Sequence, residues 1–178
     1  MPDFNTPDSL EILAEKVRDS SRNGKILRLE EVWPGAETEF IEWRQSQASN
    51  GTADIVLMRE RGRAILYSER HMTRAYAEAA ACAACGDIRY AIAQTVRGES
   101  RTYPRPTPLA LFGEAPFLFS KQILDEAVEA MLTDPDYGDI RRIQASDGSG
   151  FLFSSVHMNP AHAESLAEWM AVGHMRNP

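Results

Sequence analysis

The sequence predicts an α+β fold with an internal duplication, in which two ferredoxin-like βαββα-type halves follow an N-terminal helix. Three observations predict it. Residues 64–81 align without a gap on residues 150–167, and eight of the aligned pairs are identical. Strand-forming and helix-forming patterns follow one another in the order that such halves require. A stretch rich in proline and arginine then separates the two copies.

The first half is expected to span residues 1–96. Thr6 and Pro7 predict the start of the N-terminal helix, because a capping hydroxyl followed by proline favours a first helical turn. Strands are predicted at 25–29, 53–58, 63–68 and 88–93, with further helices at 36–47 and 74–85. The turn 59–62 makes a hairpin of the two middle strands, and the strand at 88–93 is expected to close the sheet.

Residues 97–116 are predicted to be an irregular linker, because four prolines in this stretch disfavour regular structure. The second half then spans residues 117–178 in the order αββα. Its predicted elements are a helix from Ser120 to Leu132, a hairpin of strands 140–144 and 150–156, and a last helix after Asn159. A short strand at 109–112 is predicted just before this half, within the linker. The two halves could form one continuous antiparallel sheet with its helices on one face.

Composition narrows the function classes. The chain of 178 residues carries a formal net charge of −7, which disfavours binding to nucleic acid. No apolar run is long enough to span a membrane, and the N-terminus lacks the basic start and apolar core of a signal peptide. Two cysteines do not make a disulfide scaffold, so a cytoplasmic location is expected.

The repeated motif Ser-x-x-His-Met is the strongest candidate for a ligand-binding site. Each copy falls where a strand leads into a helix, and a helix N-terminus offers unpaired N–H groups that attract anions. An alternative is that the same groups only satisfy the local backbone. The candidate residues are Ser68, His71, Thr73, Ser154, His157 and Asn159.

Five arginines form a second candidate, a patch for a small anion or for an acidic protein surface. They are Arg97, Arg101, Arg105, Arg141 and Arg142. Solvated charge without a ligand is the other interpretation of this pattern.

Cys82 and Cys85 have the spacing of a redox dithiol or of half a metal site. Both fall in the last turn of a predicted helix, where the negative end of the helix disfavours a thiolate. We therefore expect the pair to pack as small apolar residues in a helix that has seven alanines between positions 75 and 84. No cofactor fingerprint is present.

Three function classes stay open. The first is a non-catalytic module that binds a small-molecule anion or a protein partner, as an accessory subunit of a cytoplasmic complex or as a homo-oligomer. The second is an enzyme that uses His71 or His157. The third is a thiol-redox or metal protein built on Cys82 and Cys85. The first class is preferred, because the sequence contains no catalytic constellation.

Overall fold

The fold is α+β, and the computed structural model describes residues 7–46 and 50–173. The chain divides into two compact units, Met1–Cys85 and Gly86–Pro178. Each unit combines helices with its own three-stranded antiparallel sheet. Within the described ranges, no helix combines the length and apolar character needed to cross a membrane.

The first unit has the order helix, strand, helices, hairpin, helix. Its elements are α1 (Pro7–Arg22), β1 (Leu27–Arg28), α2 (Leu29–Val32), α3 (Glu37–Ser46), a 3₁₀ turn (Asn50–Thr52), β2 (Ile55–Glu60), β3 (Arg63–Ser68) and α4 (Arg74–Ala84). The sheet order is β1-β3-β2, so β3 is central and antiparallel to both neighbours. Thr6, expected as the cap of α1, lies outside the described residues.

Helices cover both faces of the first sheet. Successive strand residues point to opposite faces: Leu66 joins the apolar cluster of α1, with Val17 and Phe40, whereas Tyr67 joins a cluster with Met72 and Ala77 on the side of α4. Central β3 is thereby buried on both sides, which fits its apolar sequence.

The second unit repeats this order of helices and strands. Its elements are α5 (Ile88–Thr102), β4 (Thr107–Pro108), a 3₁₀ helix (Leu109–Gly113), α6 (Lys121–Thr133), a 3₁₀ turn (Pro135–Tyr137), β5 (Ile140–Gln144), β6 (Gly150–Ser154), α7 (Pro160–Glu168) and a π-helical turn (Trp169–Gly173). The sheet order is β4-β6-β5. Phe151 and Phe153 pack with Ala167 and Ala163 of α7, and α5 packs against β6.

Several predictions are confirmed by these elements. The segments 64–68 and 150–154 are both central strands, with Leu66 opposite Leu27 and Leu152 opposite Thr107. Helices α3, α4, α6 and α7 lie where the sequence predicts them, and Ser120 caps α6 as expected.

Other predictions are wrong. Residues 88–93 form the first turns of α5 instead of a closing strand, because Asp87 caps the helix and Ala91, Ile92 and Val96 are buried at helical spacing. The expected linker 97–116 contains the end of α5, β4 and the 3₁₀ helix at Leu109–Gly113, which replaces the predicted strand 109–112. The sequence left open whether the two halves share one sheet; the described strands form two separate sheets, and helices cover both faces of the first instead of one face.

Candidate functional site

A buried polar cluster joins α1 to the hairpin in the first unit. The Arg18 guanidinium donates two hydrogen bonds to the Asp54 carboxylate, from Nε at 3.1 Å and from Nη2 at 2.6 Å. The Ser68 hydroxyl donates to the same carboxylate at 2.6 Å, and the Ser68 N–H donates to the Ser21 hydroxyl at 2.9 Å. We call these four residues the Arg-Asp-Ser junction.

Local structure explains how the junction forms. Arg18 and Ser21 are three residues apart on α1, so they lie on one face of the helix. Asp54 comes immediately before β2, and Ser68 is the last residue of β3, opposite Ile55. The ends of the hairpin strands therefore bring the carboxylate and the hydroxyl together beneath α1.

Paired charge sets the protonation state of the junction. The hydrogen bonds from Arg18, with those from Ser68, hold the pKa of Asp54 well below its ordinary value, although burial acts in the opposite direction. The carboxylate is thus ionised at neutral pH, and its oxygens are used in structural hydrogen bonds. The two hydrogen bonds of this charge pair, with the serine–serine hydrogen bond, connect α1 to the ends of the hairpin strands.

The second unit contains the same constellation. Arg97 donates to Asp139 from Nη2 at 2.6 Å and from Nε at 3.0 Å. The Ser154 hydroxyl donates to Asp139 at 2.7 Å, and the Ser154 N–H donates to the Ser100 hydroxyl at 3.0 Å. The hydrogen bonds from Arg97 and then Ser154 lower the pKa of Asp139 to about 2. We give this cluster the same name, the Arg-Asp-Ser junction of the second unit.

The structure places the two histidines of the repeated motif in equivalent turns. The N–H groups of His71 and Met72 donate to the Ser68 carbonyl, at 3.1 and 3.0 Å, and those of His157 and Met158 donate to the Ser154 carbonyl at the same distances. Both imidazoles are exposed, and neither makes a side-chain hydrogen bond to the described residues.

The other four residues of that candidate site serve local structure. Ser68 and Ser154 belong to the junctions. Thr73 caps α4 by accepting from the N–H of Tyr76, and Asn159 caps α7 by accepting from the N–H of Ala161. Each motif thus links a junction, a turn and a helix cap, and ligand binding at its exposed histidine stays a prediction.

The arginine patch is largely engaged with carboxylates. Arg97 belongs to the second junction, while Arg105 binds Glu99 at 2.5 Å and Arg142 binds Glu129 at 2.8 Å. Arg101 and Arg141 are exposed. These pairings reduce the positive charge that the patch can offer, and anion binding there stays a prediction.

Cys82 is buried in α4, and Cys85 follows as the last, half-buried residue at the helix end. Burial, together with the nearby Glu60 carboxylate, raises the pKa of Cys82 to about 12. A thiol with that pKa is a poor nucleophile at neutral pH. In the described part of the chain, no group of three or more His, Cys, Asp or Glu side chains could hold a metal ion.

Sequence reasoning missed five residues of the two junctions: Arg18, Ser21, Asp54, Ser100 and Asp139. A gapped extension of the repeat contains the signal. Arg-x-x-Ser occurs at 18–21 and again at 97–100, and Asp-Ile occurs at 54–55 and at 139–140. Loops of unequal length separate these short matches, so an ungapped alignment does not reach them.

Comparison with known proteins places the chain in a family. The family model described as the YdhW C-terminal domain matches residues 86–175, which fall within the second unit. The Escherichia coli (strain K12) protein named "Uncharacterized protein YdhW" is 34% identical over 177 residues, which cover 97% of this chain and 82% of that protein. The chain belongs to the YdhW family.

The match to the YdhW protein includes both units, since it covers nearly the whole chain. No solved structure matches the chain significantly. The second junction, formed by Arg97, Ser100, Asp139 and Ser154, lies entirely within the residues that the YdhW C-terminal domain model matches.

Proposed function

We propose that this member of the YdhW family is a non-catalytic module that binds a ligand or a partner protein, as an accessory subunit of a cytoplasmic complex. The observation that carries the proposal is the pairing inside the two junctions. Their arginines, carboxylates and serines are residue types that catalytic sites use, yet here they bond to one another. Groups used in this way support a scaffold better than a reaction.

The remaining nucleophile and base candidates support the same proposal. General acid–base or nucleophilic catalysis requires a side chain whose pKa and partners activate it. The pKa of Cys82 is raised instead of lowered, and His71 and His157 are exposed without an orienting partner among the described residues.

We also infer that the two units descend from an internal duplication. The identical junctions support it, as does the matching register in which Ser68 lies opposite Ile55 and Ser154 lies opposite Ile140. In each unit the central strand is inserted antiparallel between two strands, the split βαβ arrangement of ferredoxin-like folds. This supports a ferredoxin-like relationship for a βαββα unit without a closing strand.

Native mass spectrometry tests the function. The protein, tagged and expressed at its natural level in the organism that encodes it, would be purified gently and its intact mass compared with the 19.9 kDa chain. We expect a hetero-complex or a ligand-loaded species of fixed stoichiometry. A homo-oligomer would be recognised by a mass that is a multiple of the chain mass. A bare monomer in every preparation would refute the binding function.

A further inference from the structure

The outer strand of the first sheet has an open edge. Strand β2 pairs with β3 on one side only within the described residues. The two strands are joined by Arg61 and Gly62, whose φ angles of 48° and 77° are those of a type I′ turn. In a two-residue hairpin the flanking pair, Glu60 and Arg63, exchanges both hydrogen bonds, and the pattern then alternates along the ladder.

This alternation decides which backbone groups face outwards. The N–H and C=O groups of Ile55, Leu57 and Arg59 point away from β3. Among the described residues, none of these groups takes part in a backbone hydrogen bond outside its own sheet. An outer strand with such groups can accept a further strand.

An apolar groove lies beside the open edge. It has a volume of about 290 Å³ and is lined by Phe40, Ile41, Arg44, Gln45 and Leu57. Leu57 is the residue whose backbone faces outwards in the middle of β2. A residue placed opposite it in an added antiparallel strand would lie on the same face of the sheet, so its side chain would enter the groove.

The second unit shows what a protected edge looks like. Arg142 lies opposite Leu152, just as Leu57 lies opposite Leu66. The Arg142 side chain binds Glu129 of α6 at 2.8 Å and is exposed, and Arg141 beside it is also charged. Charged side chains on an outer strand discourage pairing with another chain. The first unit has Val56 and Leu57 at these two positions, so the charged side chains of β2 are confined to its end, at Arg59, which binds Glu37 at 2.9 Å, and at Glu60.

Charge indicates the occupant. Arg44 is the charged residue among those lining the groove, and it has no ion pair within the described residues. A second copy of β2 would bring another Arg44 towards it, which is unfavourable. A strand with acidic side chains two residues away from its apolar residue would instead place carboxylates on the face that carries Arg44.

We propose that the β2 edge and its groove dock an extended segment of a partner protein, as a fourth antiparallel strand with an apolar residue between acidic ones. The proposal rests on the partner-binding function and specifies its site. Main-chain hydrogen bonds to Leu57 supply affinity, while the groove and Arg44 supply specificity.

A synthetic peptide tests the proposal on the full chain. The probe is Ac-Thr-Glu-Val-Leu-Val-Glu-Thr-NH2 carrying a fluorophore, and fluorescence anisotropy measures its affinity. We expect saturable binding that weakens at least tenfold for Leu57→Arg, which copies Arg142. The matched change Arg142→Leu in the second unit should leave the affinity within twofold.

Two further measurements distinguish strand pairing from nonspecific binding. N-methylation of the central leucine of the peptide removes its N–H donor and should weaken binding at least tenfold. Arg44→Glu should weaken the binding of the glutamate peptide and strengthen the binding of a peptide that has lysine in place of both glutamates. Thermal melts of each variant show that it is folded.

Three results would each overturn the docking site: no binding at 1 mM peptide, equal binding of the N-methylated peptide, or no effect of either protein variant. These results are distinguishable from failure of the proposed function. A complex of fixed stoichiometry that survives Leu57→Arg would leave the binding function standing and place its interface elsewhere. A bare monomer in native mass spectrometry would refute the proposed binding function, whether or not the synthetic peptide binds.

Discussion

Removing the carboxylate of the first junction should destabilise the protein strongly. The side chains of Arg18 and Asp54 are only 11% and 8% exposed. Asp54→Ala removes the buried counter-charge of the guanidinium and leaves it only the exposed Glu15 carboxylate at 3.5 Å, and breaking a buried pair costs about 3–5 kcal/mol. It also removes the acceptor of the Ser68 hydroxyl. We therefore expect a loss near the upper part of that range.

Graded variants keep the test informative if Asp54→Ala does not fold. Ser68→Ala loses one hydrogen bond to a charged group and should cost about 1.5–3 kcal/mol. The double variant Arg18→Met with Asp54→Ala removes both charges and should recover much of the stability lost in Asp54→Ala. Asp125→Ala is the matched control, because it breaks an exposed pair with Lys121 and should cost about 0.5 kcal/mol or less.

Urea unfolding followed by tryptophan fluorescence measures these changes. Trp33 and Trp43 belong to the first unit, and Trp33 is buried, so unfolding should shift their emission. With a slope of about 1 kcal/mol/M, a loss of 3 kcal/mol lowers the midpoint by about 3 M. A midpoint for Asp54→Ala equal to that of Asp125→Ala would refute the reasoning. So would a double variant less stable than the single one.

Three further predictions concern single groups. The folded-state pKa of Asp139 is about 2, below its unfolded value. Its contribution to the unfolding free energy, about 2 kcal/mol, should therefore be present above pH 4 and lost as the pH falls to 2. Hydrogen exchange of the β6 amides, measured as the pH is lowered, should show this loss in the wild type and not in Asp139→Asn. The buried Tyr67 hydroxyl lies near the Glu69 carboxylate but makes no well-aligned hydrogen bond to a described residue, so Tyr67→Phe should raise the unfolding free energy by about 1 kcal/mol, and a lower melting temperature would contradict this. Cys82, with its pKa near 12, should react with iodoacetamide at pH 8 roughly a thousandfold more slowly than an unperturbed thiol, as peptide mass mapping can measure.

The sequence predicts the α+β class and the hairpins well, because these depend on local signals. The two-residue turn at Arg61 and Gly62 and the cap at Thr73 are each determined by residues adjacent in the sequence. The strands 64–68 and 150–154 are found through their mutual similarity. All of these features can be predicted without knowing which residues come into contact over long distances in the sequence.

The error at residues 88–93 has a physical cause. Ile88, Tyr90 and Ile92 are β-favouring residues at alternate positions, as on one face of a strand, and the run Ile88 to Ala93 is too short to establish a period. The helix is decided by residues outside this window: Asp87 caps it, and Val96 and Ser100 extend its buried face. Part of the signal for α5, at Ser100, therefore lies in the segment that the proline content had assigned to a linker.

The junctions could not be predicted from local patterns, since their partners are far apart along the chain. Arg18 and Asp54 are separated by 36 residues, and Arg97 and Asp139 by 42. An isolated Arg or Asp in a sequence is most often solvated. The repeated Arg-x-x-Ser and Asp-Ile matches are present in the sequence, and the fold shows that their charges meet under a helix in both units.

Under the proposed duplication, energetics explains which positions stay alike in the two units and which differ. Any single change in a junction leaves a buried charge or hydroxyl without its partner, so Arg, Asp and both serines are retained together. Arg142 is exposed and Leu57 packs only at the margin of the first core cluster, so a change at these outer-strand positions costs less stability than a change in a junction. Differences between the units are therefore free to accumulate at the strand edges. The apolar pair Val56 and Leu57 of β2, at positions where β5 has Arg141 and Arg142, is the difference that the proposed bound strand accounts for.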